Sequence, residues 1–599
     1  MKKITIGKFH LNNLSSLYLY AVIVGVAAGI AAMGFSYLLH LAEDFVKTLY
    51  ASSNENNLSL NDKLGNALSN PINSITIIVL PAVGGLVAGI IAYFFSRDSV
   101  GTGTDEMINA FHNNEGKISA KVPFFKSVAT IFTLSTGGSG GKEGPISQVG
   151  AGIGVIVANF VKAGSRARRT LLLSGTAAGL GAIFKAPLGG ALTAVEMVYK
   201  EDLESDALIP AFLSSVTAYL IYTFYTGTDS FMKISELSTL HVPELWFYII
   251  LGILCFVFGF LFMKGFKDAR SFIASIKIHP IIKPAIGGLL VGLLSLFFFE
   301  VSGTGANFLE DIIMGKEVNY FSNYHSQFWI VCSLLLIAFL KIVSTTLTIG
   351  SGGSAGIFGP SLFVGGMLGA AVGTFAQQML PQYDIRVASY IVVGMGAFYA
   401  GVASAPIAGI VMICEMTGSY VLLPQLILVS IFTFILAKRI SLYKSQVENR
   451  FKSPAHTWDM QVDLLDAVNI SEQFKTPRNF ATITKNIKFK ELQQLAANLH
   501  SSDFVVVDEN NQYVGMLSLR TIKPEVIETI TENCGIENHI NKEVPSINFH
   551  LPVSSAMKVI VMFDVDKVAI EDEGVIIGYL RYRDIFNLYQ QAGKRNKES

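Results

Sequence analysis

The chain has 599 residues, of which 51% are hydrophobic and only 15% charged, with Lys+Arg and Asp+Glu balanced at 45 each. Charge this sparse, against roughly one quarter in soluble domains, places most of the chain in lipid. The zero net charge leaves a nucleic-acid partner no electrostatic footprint and excludes that class.

In chain order, the first residues, MKKITIGKFHLNNLSS, are basic, and 1–15 are expected to form a cytoplasmic N-terminus. The apolar run 17–41 exceeds the ~7 to 15 residues of a signal-peptide core, so it reads as a first membrane helix. Further runs of spanning length fall at 75–95, 208–224, 246–263 and 328–347. Between them lie shorter apolar pieces broken by Gly and Pro, at 145–161, 187–198, 357–378, 388–399 and 406–416. Broken helices are tolerated in lipid only where their backbone faces protein or a water-filled cavity, so these pieces point to a site near the bilayer midplane. Cys255, Cys332, Cys414 and Cys534 are isolated, and the ten histidines show no metal-ligand spacing, so no disulfide framework and no metal site is expected.

An internal repeat organises the apolar part. GGSGGKEGP at 137–145 returns as GGSAGIFGP at 352–360, an offset of 215. APLGGALTAVEM from Ala186 returns as APIAGIVMICEM from Ala405, an offset of 219, and GTG at 101–103 returns at 303–305. Three motifs in one order, twice, predict two membrane halves, 16–230 and 231–450. The helix opened by Pro145 runs into basic GSRARR, whereas that opened by Pro360 runs into PQYD. Basic flanks favour the cytoplasm, which predicts halves of inverted topology with both chain termini cytoplasmic.

From about Val447 charge becomes frequent and apolar runs shorten to strand length. GMLSLRTI at 515–522 and GYLRYRDI at 578–585 lie 63 residues apart, so residues 451–599 are expected to be a duplicated α/β region.

The two Gly-rich loops suggest chemistry. Each ends in Gly-Pro before an apolar helix, and Pro suits the first helical position because its missing N–H is unpaired there anyway. A helix N-terminus offers free N–H donors and about half a positive charge, an anion site without a cation in the membrane. Dipoles and hydroxyls replace hydration weakly enough for the ion to leave, and Thr102 and Tyr443 supply hydroxyls. Glu143 stands where an anion should bind, so its protonation would act as a gate. A phosphate-loop reading fails because Thr136 and Glu143 occupy positions requiring Gly and Ser or Thr. Packing explains one Gly-rich break, but duplication of the pair favours a ligand site. Glu196 and Glu415 recur at matching positions and read as satisfying broken-helix backbone.

On these residues the sequence resembles the CLC family of chloride channels and chloride/proton antiporters. GKEGP at 141–145 looks like the family's gating-glutamate motif, GIFGP at 356–360 is similar to its GIFxP motif, and Ser441-Leu442-Tyr443 falls where it places an ion-binding tyrosine. The resemblance implies an all-α polytopic membrane protein of about eighteen helices in inverted halves, working as a homodimer with one pore per subunit. It makes Glu143 the gate and gives anion-binding roles to Thr102, the amides of Ile357 and Phe358, and Tyr443. The loops comprise Gly141, Lys142, Gly144 and Pro145 in the first half and Gly356, Gly359 and Pro360 in the second.

Two departures stand out. The family's GSGIP appears as GTGTD, with Thr102 for serine and Asp105 for proline. Antiporters of the family carry a proton-transfer glutamate where this chain has Met197, which resembles the channel branch. The tail resembles a pair of cystathionine-β-synthase (CBS) domains, modules that bind adenine nucleotides such as ATP. Asp584 matches their ribose-contacting aspartate, and its counterpart in the first module is Thr521. The leading expectation is therefore glutamate-gated chloride conduction with no required cofactor. The alternatives are chloride/proton exchange and a nucleotide-sensing membrane scaffold without transport.

Overall fold

A computed structural model describes residues 14–50, 71–232, 234, 241–315, 327–438, 441–456, 469–473, 482–499, 503–509, 512–519, 537–563 and 565–587. The chain divides into two compact units, 1–455 and 456–599.

Among the described residues, the first half of the first unit holds α1 (Leu14–Tyr50), α2 (Pro71–Phe94), α3 (Thr104–Asn113), α4 (Val122–Ser135), α5 (Glu143–Phe160), α6 (Ser165–Ile183), α7 (Pro187–Glu196) and α8 (Leu208–Thr226). The second half holds α9 (Leu245–Ser275), α10 (Ile282–Phe297), α11 (Ala306–Ile313), α12 (Gln327–Gly350), α13 (Phe358–Met379), α14 (Val387–Ala403), α15 (Pro406–Thr417) and α16 (Leu423–Ala437). Among the described residues, six helices are long and apolar enough to cross a bilayer. Five coincide with the runs read from the sequence. The sixth, α13, falls on the Gly-rich piece read at 357–378.

Contacts between the first and second groups of helices recur with partners exchanged. The Thr130 hydroxyl meets the Ser354 hydroxyl at 2.9 Å, while Ser139 meets Thr345 at 3.0 Å. Each pair is the other shifted by the repeat, and reciprocity of this kind defines a twofold interface. Glu196 at the end of α7 accepts the N–H groups of Ile407 and Ala408 at the start of α15, at 3.2 and 2.7 Å. Glu415 near the end of α15 accepts those of Leu188 and Gly189 at the start of α7, at 3.1 and 2.7 Å. Pro187 and Pro406 open these helices, and each glutamate supplies acceptors that a helix start lacks. This matches the structural role expected for the two carboxylates.

Within each half a helix pair packs backbone to backbone. A methyl group at Gly150 of α5 would collide with the Gly175 carbonyl of α6, and one at Gly175 with the Gly150 carbonyl; Gly365 of α13 and Gly394 of α14 repeat the arrangement. Close approach through small residues drives helix association in lipid.

In the second unit, β1 (Thr482–Thr484) pairs parallel with β2 (Asp503–Val507), which pairs antiparallel with β3 (Tyr513–Ser518). β4 (Ile547–Asn548), β5 (Lys567–Asp572) and β6 (Val575–Arg581) repeat that order and direction. Helices Phe489–Leu499 and Val553–Phe563 connect the parallel strands. The duplication read from the sequence is thus a pair of three-stranded mixed sheets. Thr521 and Cys534 lie outside the described residues.

Candidate anion site

The two Gly-rich loops meet. The Gly141 N–H donates to the Gly356 carbonyl at 2.7 Å and the Gly356 N–H donates to the Gly141 carbonyl at 2.6 Å, a single antiparallel rung that brings the starts of α5 and α13 together. Gly144 touches Gly356, and a side chain there would strike the Thr102 carbonyl, so the GTG loop joins the same knot. Buried Pro145 and Pro360 are third rather than first in their helices, because α5 begins at Glu143 and α13 at Phe358. The anion argument survives, since the first four N–H groups of any helix lack an internal acceptor.

That shift makes Glu143 the first residue of α5, and its side chain crosses to the other half. The Gly359 N–H, in the first turn of α13, donates to Glu143 Oε2 at 3.3 Å. A side chain at Gly141 would collide with that oxygen, so glycine is required for the carboxylate to lie there. An acidic group therefore occupies a helix N-terminus at the place where the sequence argument puts an anion.

Around it, the Thr102 hydroxyl accepts the Asp105 N–H at 3.4 Å, and Asp105 Oδ1 accepts the Ser445 N–H at 2.9 Å. The carboxylate that replaces the family's proline thus ties the Tyr443 segment to the GTG loop. Tyr443 is buried, with Thr104 and Asp105 beside it. The Ile357 carbonyl accepts both the amide and the hydroxyl of Ser361, while the Phe358 ring packs 4.3 Å from Tyr399 and 4.4 Å from Phe184. Lys142 sits over the Phe231 ring at 5.9 Å. Glu143, Thr102 and the glycines of both loops are brought together, and Ile357 and Phe358 adjoin them. The described contacts link Tyr443 to Thr104 and Asp105, not to Glu143.

Sequence reading missed two lysines. Lys126 of α4 is fully buried and donates to the Gly101 carbonyl at 2.8 Å; Lys341 of α12 is fully buried and donates to the Gly303 carbonyl at 2.8 Å and the Val301 carbonyl at 3.2 Å. Each holds the first glycine of a GTG loop, and the Gly303 carbonyl also accepts the Gly140 N–H. The two lysines lie 215 residues apart, the offset of the Gly-rich loops, a signal present in the sequence. They set a buried amine against the first glycine of each GTG loop.

In the second unit Asp584 is buried and receives the Arg581 amide at 3.3 Å and its guanidinium at 3.1 and 3.2 Å. Among the described residues no group of three or more His, Cys, Asp or Glu is placed to hold a metal.

Six helices of spanning length among the described residues, with two broken helix starts meeting at a carboxylate, describe a polytopic membrane protein with a polar site between its helices. Residues 84–438, more than half of the chain, match the family described as voltage gated chloride channel, and the chain belongs to this CLC family. It is similar to the H(+)/Cl(-) exchange transporter ClcA of Vibrio parahaemolyticus, 30% identical over 430 residues, covering 71% of this chain and 86% of that protein. The Vibrio vulnificus protein of the same name is 30% identical over 433 residues, covering 71% and 87%. Among solved structures, a slow cyanobacterial Cl-/H+ antiporter matches with a TM-score of 0.60 at 23% identity, over 71% of this chain and 94% of that one. A eukaryotic CLC transporter matches at 0.56 and 18% identity, over 95% and 98%. These likenesses define the fold.

Proposed function

We propose that the protein exchanges chloride for protons across a membrane, with Glu143 as the group on which the two ions meet. The carrying observation is the Glu143 carboxylate at the Gly359 amide. Held there as an anion, it excludes a halide from the start of α13. Once protonated it loses its attraction for the helix end, and chloride takes its place. A proton and an anion competing through one carboxylate are coupled without any further cofactor. Similarity to proteins named as H(+)/Cl(-) exchange transporters favours this reading over simple conduction.

Uncoupled, glutamate-gated chloride conduction is the second reading, and Met197 favours it because a thioether carries no proton. The deciding experiment is chloride efflux from liposomes containing the full chain, with external pH recorded. Exchange predicts proton uptake in fixed ratio to chloride release, and conduction predicts none.

In this proposal the ligand set is Thr102, the amides of Ile357 and Phe358, and Tyr443, and the working unit is a homodimer with a pore in each subunit. Both termini face the cytoplasm, a reading that rests on the Arg166, Arg168 and Arg169 cluster. The tail acts as a regulatory CBS pair open to ATP or a related adenine nucleotide. Its duplicated mixed sheets and the buried Asp584 support that reading.

A further inference from the structure

The two hydroxyls read as anion ligands, those of Thr102 and Tyr443, are both buried and stand on segments from opposite ends of the membrane unit. One residue spans the gap between them. The Asp105 N–H donates to the Thr102 hydroxyl oxygen at 3.4 Å, while Asp105 Oδ1 accepts the Ser445 N–H, just beyond Tyr443, at 2.9 Å. A hydroxyl has one hydrogen and two lone pairs, so a Thr102 oxygen that accepts from Asp105 keeps its own hydrogen for an anion.

The turn that carries Tyr443 is pinned from its other side. The Ser441 hydroxyl accepts the Tyr443 N–H at 3.2 Å and donates to Gln446 Oε1 at 2.6 Å. Gln446 is buried, and its Nε2 donates to the carbonyls of Tyr199 at 2.7 Å, Met197 at 3.0 Å and Ala403 at 3.4 Å. Met197 and Tyr199 follow α7 in the first half, and Ala403 ends α14 in the second. The N–H groups of Lys200 and Glu201 then donate to the Val447 and Glu448 carbonyls at 2.9 and 3.1 Å. With the turn fixed to both halves in this way, the Asp105–Ser445 bond sets how far it stands from the GTG loop.

We propose that Asp105 is a positioning residue that fixes the spacing of the Thr102 and Tyr443 hydroxyls and, through that spacing, the size of halide the site prefers. Charge and shape act differently here. A carboxylate repels chloride and bromide alike, because both carry one negative charge. The separation of two donors weighs on the smaller and the larger ion unequally. Loss of the Asp105 acceptor lets the hydroxyls move apart and favours the larger ion.

The proposal rests on reading Thr102 and Tyr443 as anion ligands, and the test separates the two. Chloride and bromide affinities are measured by titration calorimetry on the full chain in detergent. Asp105→Ala should raise the bromide-to-chloride affinity ratio at least about threefold. Asp105→Asn, which keeps Oδ1 as an acceptor and removes the charge, should retain the ratio of the unmodified chain even where both affinities move together. An unchanged ratio in Asp105→Ala, or the same rise in Asp105→Asn, overturns the proposal. Once Tyr443→Phe has removed the hydroxyl, adding Asp105→Ala should leave the ratio where it stands; a further rise overturns the link to Tyr443. Gln446→Met, which releases the same turn from the other side, should raise the ratio too, and it tests the spacing if Asp105→Ala folds poorly. If the unmodified chain binds no chloride, or Tyr443→Phe leaves both affinities unchanged, the ligand reading falls instead. Amide hydrogen exchange then decides the tether: Asp105→Ala should speed exchange at Ser445 and Asp105→Asn should not, and equal protection in both overturns it.

Discussion

Glu143 Oε2 lies 3.3 Å from the amide nitrogen of Gly359, across 216 residues of sequence and from one half of the repeat to the other. Glutamine keeps the size of the side chain and removes its charge, so the helix end no longer holds it. Glu143→Gln should therefore pass chloride at a rate equal to or above the unmodified chain while coupled proton movement falls at least about tenfold. Parallel chloride-electrode and pH recordings from liposomes check this; proton coupling retained in the variant would contradict it.

The reciprocal caps make a prediction about stability. Glu196→Ala removes acceptors from the Ile407 and Ala408 N–H groups, and Glu415→Ala does the same for Leu188 and Gly189. Each loss should destabilise the chain by about 2 kcal/mol, the scale of a charged hydrogen bond to a helix start. Thermal unfolding in detergent should show both variants lowered by similar amounts, with glutamine at either position intermediate. A silent alanine would mean that these contacts carry no stability.

The buried lysines separate charge from shape. Lys341→Met removes a positive charge and its bonds to the Val301 and Gly303 carbonyls, whereas Lys341→Arg keeps the charge. Chloride affinity measured by calorimetry should fall roughly tenfold in the methionine variant, about the worth of the hydrogen bonds by which the amine holds the Val301 and Gly303 carbonyls. The arginine variant should stay within about threefold of the unmodified chain. Lys126→Met should behave like Lys341→Met if the twofold relation extends to electrostatics.

For the tail, millimolar ATP should raise the unfolding temperature of the full chain, and Asp584→Ala should abolish the shift. Asp584 also binds Arg581, so Arg581→Ala serves as the control for lost packing alone. A shift that survives Asp584→Ala would place nucleotide elsewhere.

The parts legible in the sequence were those in which local chemistry and global position agree. Gly-Pro punctuation marks the helix starts to within two residues, 145 and 360 against 143 and 358, and its recurrence exposes the repeat. Helices such as α6 escape an apolar-run reading because Gly, Ala, Ser and Thr interrupt their leucines, yet the stretch from Thr170 to Ile183 is buried throughout, with Gly175 packed backbone to backbone against Gly150. The lysines at 126 and 341 looked like ordinary charged interruptions of apolar runs. Only their shared offset, or the carbonyls they hold, reveals them as a pair. Tyr443 is named from its place in a motif, whereas the tie between its segment and the GTG loop runs through Asp105 and the Ser445 amide, a contact spanning 340 residues that no local pattern encodes.

The most direct test of the anion site is a bromide-soaked crystal of Glu143→Gln, read by anomalous scattering. The account predicts a peak within hydrogen-bonding distance of the amides at 357–359, in the space the carboxylate otherwise fills. A map with bromide elsewhere in the chain and none at the start of α13 would contradict it.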